Sequence, residues 1–250
     1  MPSVFVVGCM KAGTTAMFSF LTEHPEIVGS PGKEVNFFTF NAHRGMAWYS
    51  RQFPQVTGNQ RAVDASPSYF HLALDANVPN RIRAVSPRAR AIVMLRDPVD
   101  RAVSHFRHLR RYEAADHLAD LTADEFFDWD LSAVISESGS LNWNRHLVLR
   151  FSLMLRPMLA FEQAFGDDLL VIPMRSLAED GPAVMEAAFA HAGVEPMALT
   201  AMRRRNVADD TDEISDDTRR RLEALYAEDW AGTLQIAERV NRGRWPVRHG

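Results

Sequence analysis

The run from Val4 to Met17, Val-Phe-Val-Val-Gly-Cys-Met-Lys-Ala-Gly-Thr-Thr-Ala-Met, leaves this chain few folds to adopt. Four apolar residues followed by glycine predict a strand buried on both faces, which belongs in a parallel sheet. A tight turn then carries one lysine and two hydroxyls, and a helix begins near Thr14. Backbone N–H groups at a helix start point outward, the helix dipole favours an anion there, and Lys11 adds a full positive charge. Gly8 and Gly13 let the backbone bend and approach a ligand closely. The order is not that of a Walker A loop, in which lysine follows the second glycine. Here Lys11 precedes Gly13 by two residues. The turn therefore reads as a phosphate cradle outside the usual ATPase pattern.

A second run, Arg90 to Phe106, has the same logic. Ala91 to Leu95 is a short apolar stretch, and Arg96 stands at its C-terminal end, where ligands gather in open parallel sheets. Asp97 suits the cap of the next helix and Pro98 its first turn. Ser104 follows about two turns into that helix. An arginine fork and a serine hydroxyl on successive elements suit one further phosphate.

The bulk properties agree with an enzyme of small anions rather than a nucleic-acid binder. The chain of 250 residues carries 28 basic and 32 acidic side chains, so no global positive field attracts polyanions. Its length suits one α/β domain with a large core, and 46% apolar residues supply that core. The single cysteine, Cys9, has no partner for an internal disulfide and reads as a packed thiol. Lys11 interrupts the N-terminal apolar run early, which is unlike a signal peptide. No stretch approaches the roughly 18 apolar residues of a membrane helix. The expectation is a cytoplasmic protein with no membrane or nucleic-acid partner.

Along the chain, strands are predicted at 4–8, 62–64, 91–95 and 169–173, with a short extended piece at 24–28. Helices are predicted at 14–23, 75–85, 98–112, 147–165 (with a kink at Pro157), 181–192 (closed by Gly193) and 216–241. Residues 29–60, rich in glycine and aromatics, read as a loop and helix over a cleft. The acidic stretch 116–129 reads as a helical insert or lid. Nothing divides the chain, so residues 1–250 are expected to form one P-loop-like α/β domain, a central parallel sheet flanked by helices on both faces.

Lys11-Ala12-Gly13-Thr14-Thr15 resembles the 5′-phosphosulfate loop of sulfotransferases that use 3′-phosphoadenosine 5′-phosphosulfate (PAPS). Arg96-Asp97-Pro98-Val99-Asp100-Arg101-Ala102-Val103-Ser104 resembles their 3′-phosphate motif. His24-Pro25, Glu34-Val35-Asn36-Phe37-Phe38 and Asp64-Ala65-Ser66-Pro67-Ser68-Tyr69-Phe70 resemble the heparan-sulfate-type branch and its bacterial relatives. These motifs stand in family order over residues 4–106; beyond residue 107 only the element order matches.

The resemblance implies sulfuryl transfer from PAPS to a hydroxyl or amine of a carbohydrate or small-molecule acceptor, without a metal. It assigns Lys11 to the leaving phosphate, with Ala12, Gly13, Thr14, Thr15 and Ala16 completing the loop, and Arg96 and Ser104 to the 3′-phosphate. Glu34 maps onto the general base, its carboxyl expected to be tuned by an apolar pocket of Phe37 and Phe38. His71 and His105 stand in reserve, because other branches use histidine. Arg203 and Arg205 occupy the place of the family's late basic nucleotide loop, without its Lys-Gly-Arg form or flanking cysteines. Lys33, Trp48, Tyr69, His71 and Arg107 are candidate acceptor contacts. One departure is Ala65, where many relatives of this branch carry an active-site lysine. Two other readings stay open: a P-loop-type kinase, and a nucleotide-binding module without activity.

Overall fold

The computed structural model describes residues 1–72, 77–112, 118, 120–128, 140–199 and 213–242. Its frame is one five-stranded sheet, built from β1 (Val4–Gly8), β2 (Ile27–Gly29), β3 (Arg61–Ala65), β4 (Arg90–Leu95) and β5 (Leu169–Pro173). The order is β2-β3-β1-β4-β5 and every neighbouring pair is parallel. All five residues of β1 are buried, as are five of the six in β4, which explains their unbroken apolar runs. From β1 the chain first fills the β3 side and then returns to the β4 side. That reversal makes a crevice at the C-terminal ends of β1 and β4.

The described helices are α1 (Thr14–Leu21), α2 (Met46–Ser50), α3 (Ser68–His71), α4 (Val78–Val85), α5 (Pro98–Tyr112), α6 (Ala123–Phe127), α7 (Ser140–Arg150), α8 (Leu155–Phe165), α9 (Met174–Glu179), α10 (Gly181–Ala192) and α11 (Asp216–Val240). The sheet is flanked on both faces by helices such as α1, α3 and α10. On one, α1 packs over β1 and β3 and against α10, which covers β4 and β5. On the other, α3 packs on β1, Phe38 meets Phe5 edge-on, and Phe70 stacks on Phe161. The approach is close: a Cβ on Gly8 would lie 2.4 Å from the Cβ of Phe70.

The chain forms two compact units. The first comprises Met1–Arg96, Arg156–Arg205 and Leu234–Gly250 and contains the whole sheet. The second comprises Asp97–Leu155 and Asn206–Thr233. Its own core gathers Phe106, Phe126, Phe127, Leu149, Leu222 and Tyr226. Within it, the Asp97 carboxylate accepts from the N–H groups of Val99 and Asp100 at 2.9 and 3.0 Å, the predicted cap. Arg101 is fully buried and donates to the Ser152 hydroxyl at 2.6 Å and to the Val148 carbonyl.

Two expectations change. The single helix at 147–165 is two helices, and the break precedes Pro157. That proline sits in the first turn of α8, where a missing N–H costs little. The break is held from afar, because the Asp229 carboxylate accepts from the N–H groups of Met154 and Leu155 at 2.6 and 3.1 Å. Among its described residues, the acidic stretch at 116–129 is α-helical only over Ala123–Phe127. Phe126 and Phe127 are buried there, so this piece is core rather than lid.

Candidate active site

The turn from β1 into α1 has the backbone an anion site requires. Gly13 adopts φ 85° and Lys11 φ 67°. For a lysine the left-handed region costs about 1–2 kcal/mol, strain that accumulates where a loop must hold a particular shape. The first helical bond runs from the Met17 N–H to the Gly13 carbonyl at 3.0 Å. Helical geometry therefore leaves the N–H groups of Thr14, Thr15 and Ala16 directed outward, and no side chain caps them. Thr14 is buried and Thr15 exposed, so the two hydroxyls face different surroundings. These donors fit a phosphate group.

Two side chains brace this turn. Arg96, just beyond β4, donates to the Lys11 carbonyl at 3.0 Å. His71, which ends α3, accepts from the Met10 N–H on Nε2 at 2.8 Å. The Nε2 lone pair of His71 is thus spent on the loop, which removes it from the role of reserve base in this arrangement.

The segment carrying Glu34 lies against the same turn. The Lys33 ammonium is 2.9 Å from a Glu34 carboxylate oxygen and donates to the Thr14 hydroxyl at 3.4 Å. Lys33 is 15% exposed and Glu34 53%. The expected apolar pocket of Phe37 and Phe38 is absent at Glu34. Asn36 takes φ 50°, and residues Phe37–Asn41 form one π-helical turn that sends both rings inward. There Phe37 stacks on Tyr49 with centroids 4.3 Å apart, and Phe38 meets Phe5 and Tyr69 edge-on. Glu34 is left with an ammonium neighbour rather than a greasy one.

Beneath the segment lies a residue to which the sequence reading gave no role, Asp64. It is completely buried at the end of β3 and accepts from the hydroxyls of Ser66, Tyr49 and Tyr69 at 2.7, 2.7 and 2.8 Å. Burial raises its carboxyl above the usual range, while the three hydroxyl bonds and the charge of Lys33 pull it back down. The signal available in the sequence was an acid with a hydroxyl two residues on and a tyrosine three beyond that.

The other predicted residues divide. Tyr69 has no exposed surface and its phenol is engaged by Asp64 and the Phe37 N–H, so it offers no face to an acceptor. Trp48 is half-buried, stacked near Phe37 with the Arg44 guanidinium 4.8 Å over its ring. In the second unit, Ser104 and Arg107 are half-buried on α5, and His105 is buried between Arg101 and Phe151 as a packed histidine. Arg203 and Arg205 lie outside the described residues. Among the described residues, no three His, Cys, Asp or Glu side chains are grouped to hold a metal ion.

Comparison with known proteins points the same way. The solved sulfotransferase from Alicyclobacillus acidocaldarius superposes with a TM-score of 0.77 at 25% identity, over 95% of this chain and 96% of that one. Heparan sulfate glucosamine 3-O-sulfotransferase 3B1 of Mus musculus is 38% identical over 106 residues, which are 42% of this chain and 26% of that protein. Human bifunctional heparan sulfate N-deacetylase/N-sulfotransferase 3 is 39% identical over 122 residues, 45% of this chain and 14% of that protein. The match thus spans about a quarter or less of these two relatives' length. A sulfotransferase-domain profile matches residues 1–147, more than half of the chain and all of the turn, brace and segment described above. The chain belongs to the sulfotransferase-domain family.

Proposed function

We propose that the protein transfers a sulfuryl group from PAPS to a hydroxyl or amine of a carbohydrate or small-molecule acceptor. The observation that carries this reading is the Lys33 bridge, which ties the Glu34 carboxylate to the Thr14 hydroxyl at the head of the phosphate turn. A base and an anion cradle one side chain apart suit in-line displacement at a group held in that cradle.

In this reading the acceptor oxygen or nitrogen bonds to sulfur as the sulfur–oxygen bond to the phosphate breaks. Glu34 takes the acceptor proton. Lys11 and the outward N–H groups of Thr14, Thr15 and Ala16 meet the charge that develops on the leaving phosphate, and because they are fixed beforehand they need no reorganisation. Arg96 adds a cation at the C-terminal end of β4 for the 3′-phosphate and, through the Lys11 carbonyl, holds the turn in its strained shape. PAPS supplies the activated sulfuryl group.

The carbohydrate reading is supported by the names of the relatives, one a heparan sulfate glucosamine 3-O-sulfotransferase and the other a bifunctional heparan sulfate N-deacetylase/N-sulfotransferase. Ala65 stands where many heparan-type relatives carry a lysine, and Lys33 brings a cation to the same neighbourhood from the adjacent segment. Because position 65 brings no cation and Lys33 is engaged by Glu34, the acceptor need not be a polyanion.

Calorimetric titration with 3′-phosphoadenosine 5′-phosphate (PAP), ADP and ATP in excess EDTA tests the donor half. Micromolar or tighter binding of PAP alone supports it, and [³⁵S]PAPS transfer to a panel of glucosamine oligosaccharides and phenols then tests the rest. Preference for ATP, or ATP binding that appears only when Mg²⁺ replaces the EDTA, replaces this reading with the kinase one.

A further inference from the structure

Asp64 has the wrong chemistry for its place. It is a carboxylate with no exposed surface among apolar neighbours, where an ion loses several kcal/mol of hydration. What it gains is a set of three hydroxyl donors, two of which continue to a common target. The Ser66 hydroxyl oxygen accepts from the Asn36 N–H at 3.0 Å, and the Tyr69 phenol oxygen accepts from the Phe37 N–H at 2.8 Å. Those are the second and third residues after Glu34.

The direction of these bonds is forced. Each hydroxyl has one proton, and both protons are spent on Asp64. The remaining lone pairs of Ser66 and Tyr69 therefore face the main chain. Only an acceptor without protons of its own can draw every hydroxyl toward it in this way. An asparagine would present a donor on one side and turn at least one hydroxyl proton away, that of Ser66 or those of the two phenols. Lys33, the neighbour of Glu34, is close enough for its charge to favour the ionised form of Asp64. The core beneath the segment is thus electrostatically matched to the pair above it.

From this geometry, and resting on the reading of Glu34 as the base, we infer that Asp64 is a positioning residue for the reaction. Through Ser66 and Tyr69 it pins the backbone immediately after Glu34, and so fixes where that carboxylate stands above the phosphate turn. It touches neither donor nor acceptor.

The test uses the full 250-residue chain and water as the acceptor. In water PAPS turns over to PAP and sulfate: the water oxygen bonds to sulfur, the anhydride sulfur–oxygen bond breaks, and the water proton goes to Glu34. Ser66→Ala and Tyr69→Phe each remove one pin, and Asp64→Asn misdirects one or the other. The expected result is amide exchange at Asn36 or Phe37 faster by about tenfold or more, with exchange across residues 9–16 and PAP affinity unchanged. Turnover of PAPS falls roughly five- to hundredfold. In the Glu34→Gln background the same substitutions cost nothing further, because the residue they position no longer works.

A merely structural role predicts otherwise: exchange rising everywhere, or the same loss in both backgrounds, and either result overturns the inference. Unchanged exchange at Asn36 and Phe37 overturns it too. Ser66→Ala is the mildest change and decides the matter if Tyr69→Phe does not fold. If Glu34→Gln turns over at the wild-type rate, the base reading falls and this inference with it. If Glu34→Gln is slow while Ser66→Ala and Asp64→Asn are normal, only this inference falls.

Discussion

Arg96 donates to the main-chain carbonyl of Lys11 at 3.0 Å, so the side chain at the end of β4 supports the strained residue at the tip of the neighbouring turn. Loss of that fork should loosen the turn and remove a cation from the donor site together. Arg96→Ala is expected to weaken PAP binding by about 1.5–3 kcal/mol, the range for bonds to charged groups. Calorimetry measures it directly, and an unchanged dissociation constant removes Arg96 from the site.

Glu34→Gln keeps the shape of the side chain and abolishes its basicity. Turnover of PAPS should drop by roughly 10²–10⁴, with PAP affinity within error of wild type. The bond to Lys33 survives in weakened form, since an amide oxygen still accepts. A rate near wild type would remove the base role from Glu34, and a parallel loss of PAP binding would make Glu34 part of the donor site instead.

Asp64 should leave a mark on acid stability. Burial raises its carboxyl, so the folded chain holds that proton more tightly than the unfolded chain, whose carboxyl titrates near about 3.9. Between those two values the folded state binds more protons, and the unfolding free energy declines as pH rises. Asp64→Asn has no such proton. The wild-type value should therefore fall relative to the variant across this acid window and run parallel to it at neutral pH. Urea titrations at closely spaced pH values check the sign, and curves parallel throughout contradict it.

Gly8→Ala examines the packing of the sheet on α3. The added Cβ would sit 2.4 Å from Phe70, so the strand or the helix must move. Overpacking of this kind costs about 1–3 kcal/mol. A melting temperature equal to that of the wild type would mean that β1 and α3 separate freely.

Local signals carried most of the frame. The strand, turn and helix around Lys11 and the strand ending at Arg96 were readable because each is set by residues within a few positions of one another. What escaped reading depends on distant partners. The gap between α7 and α8 is capped by Asp229, some 75 positions further along the chain. Phe37 and Phe38 turn inward because Asn36 adopts a left-handed conformation and Tyr49 offers a stacking face, neither of which a motif records. Tyr69 reads from the sequence as an acceptor contact, although its partner Asp64 stands only five residues before it. Its role became visible only once the strand end and the α3 turn were folded onto each other.

The pins beneath the base segment grip amide groups at Asn36 and Phe37, not side chains. Whatever stands at Lys33 or Glu34 inherits the same perch. On the proposed reading of Glu34, the placement of the proton-accepting group rests on main-chain amides and not on the neighbouring side chains.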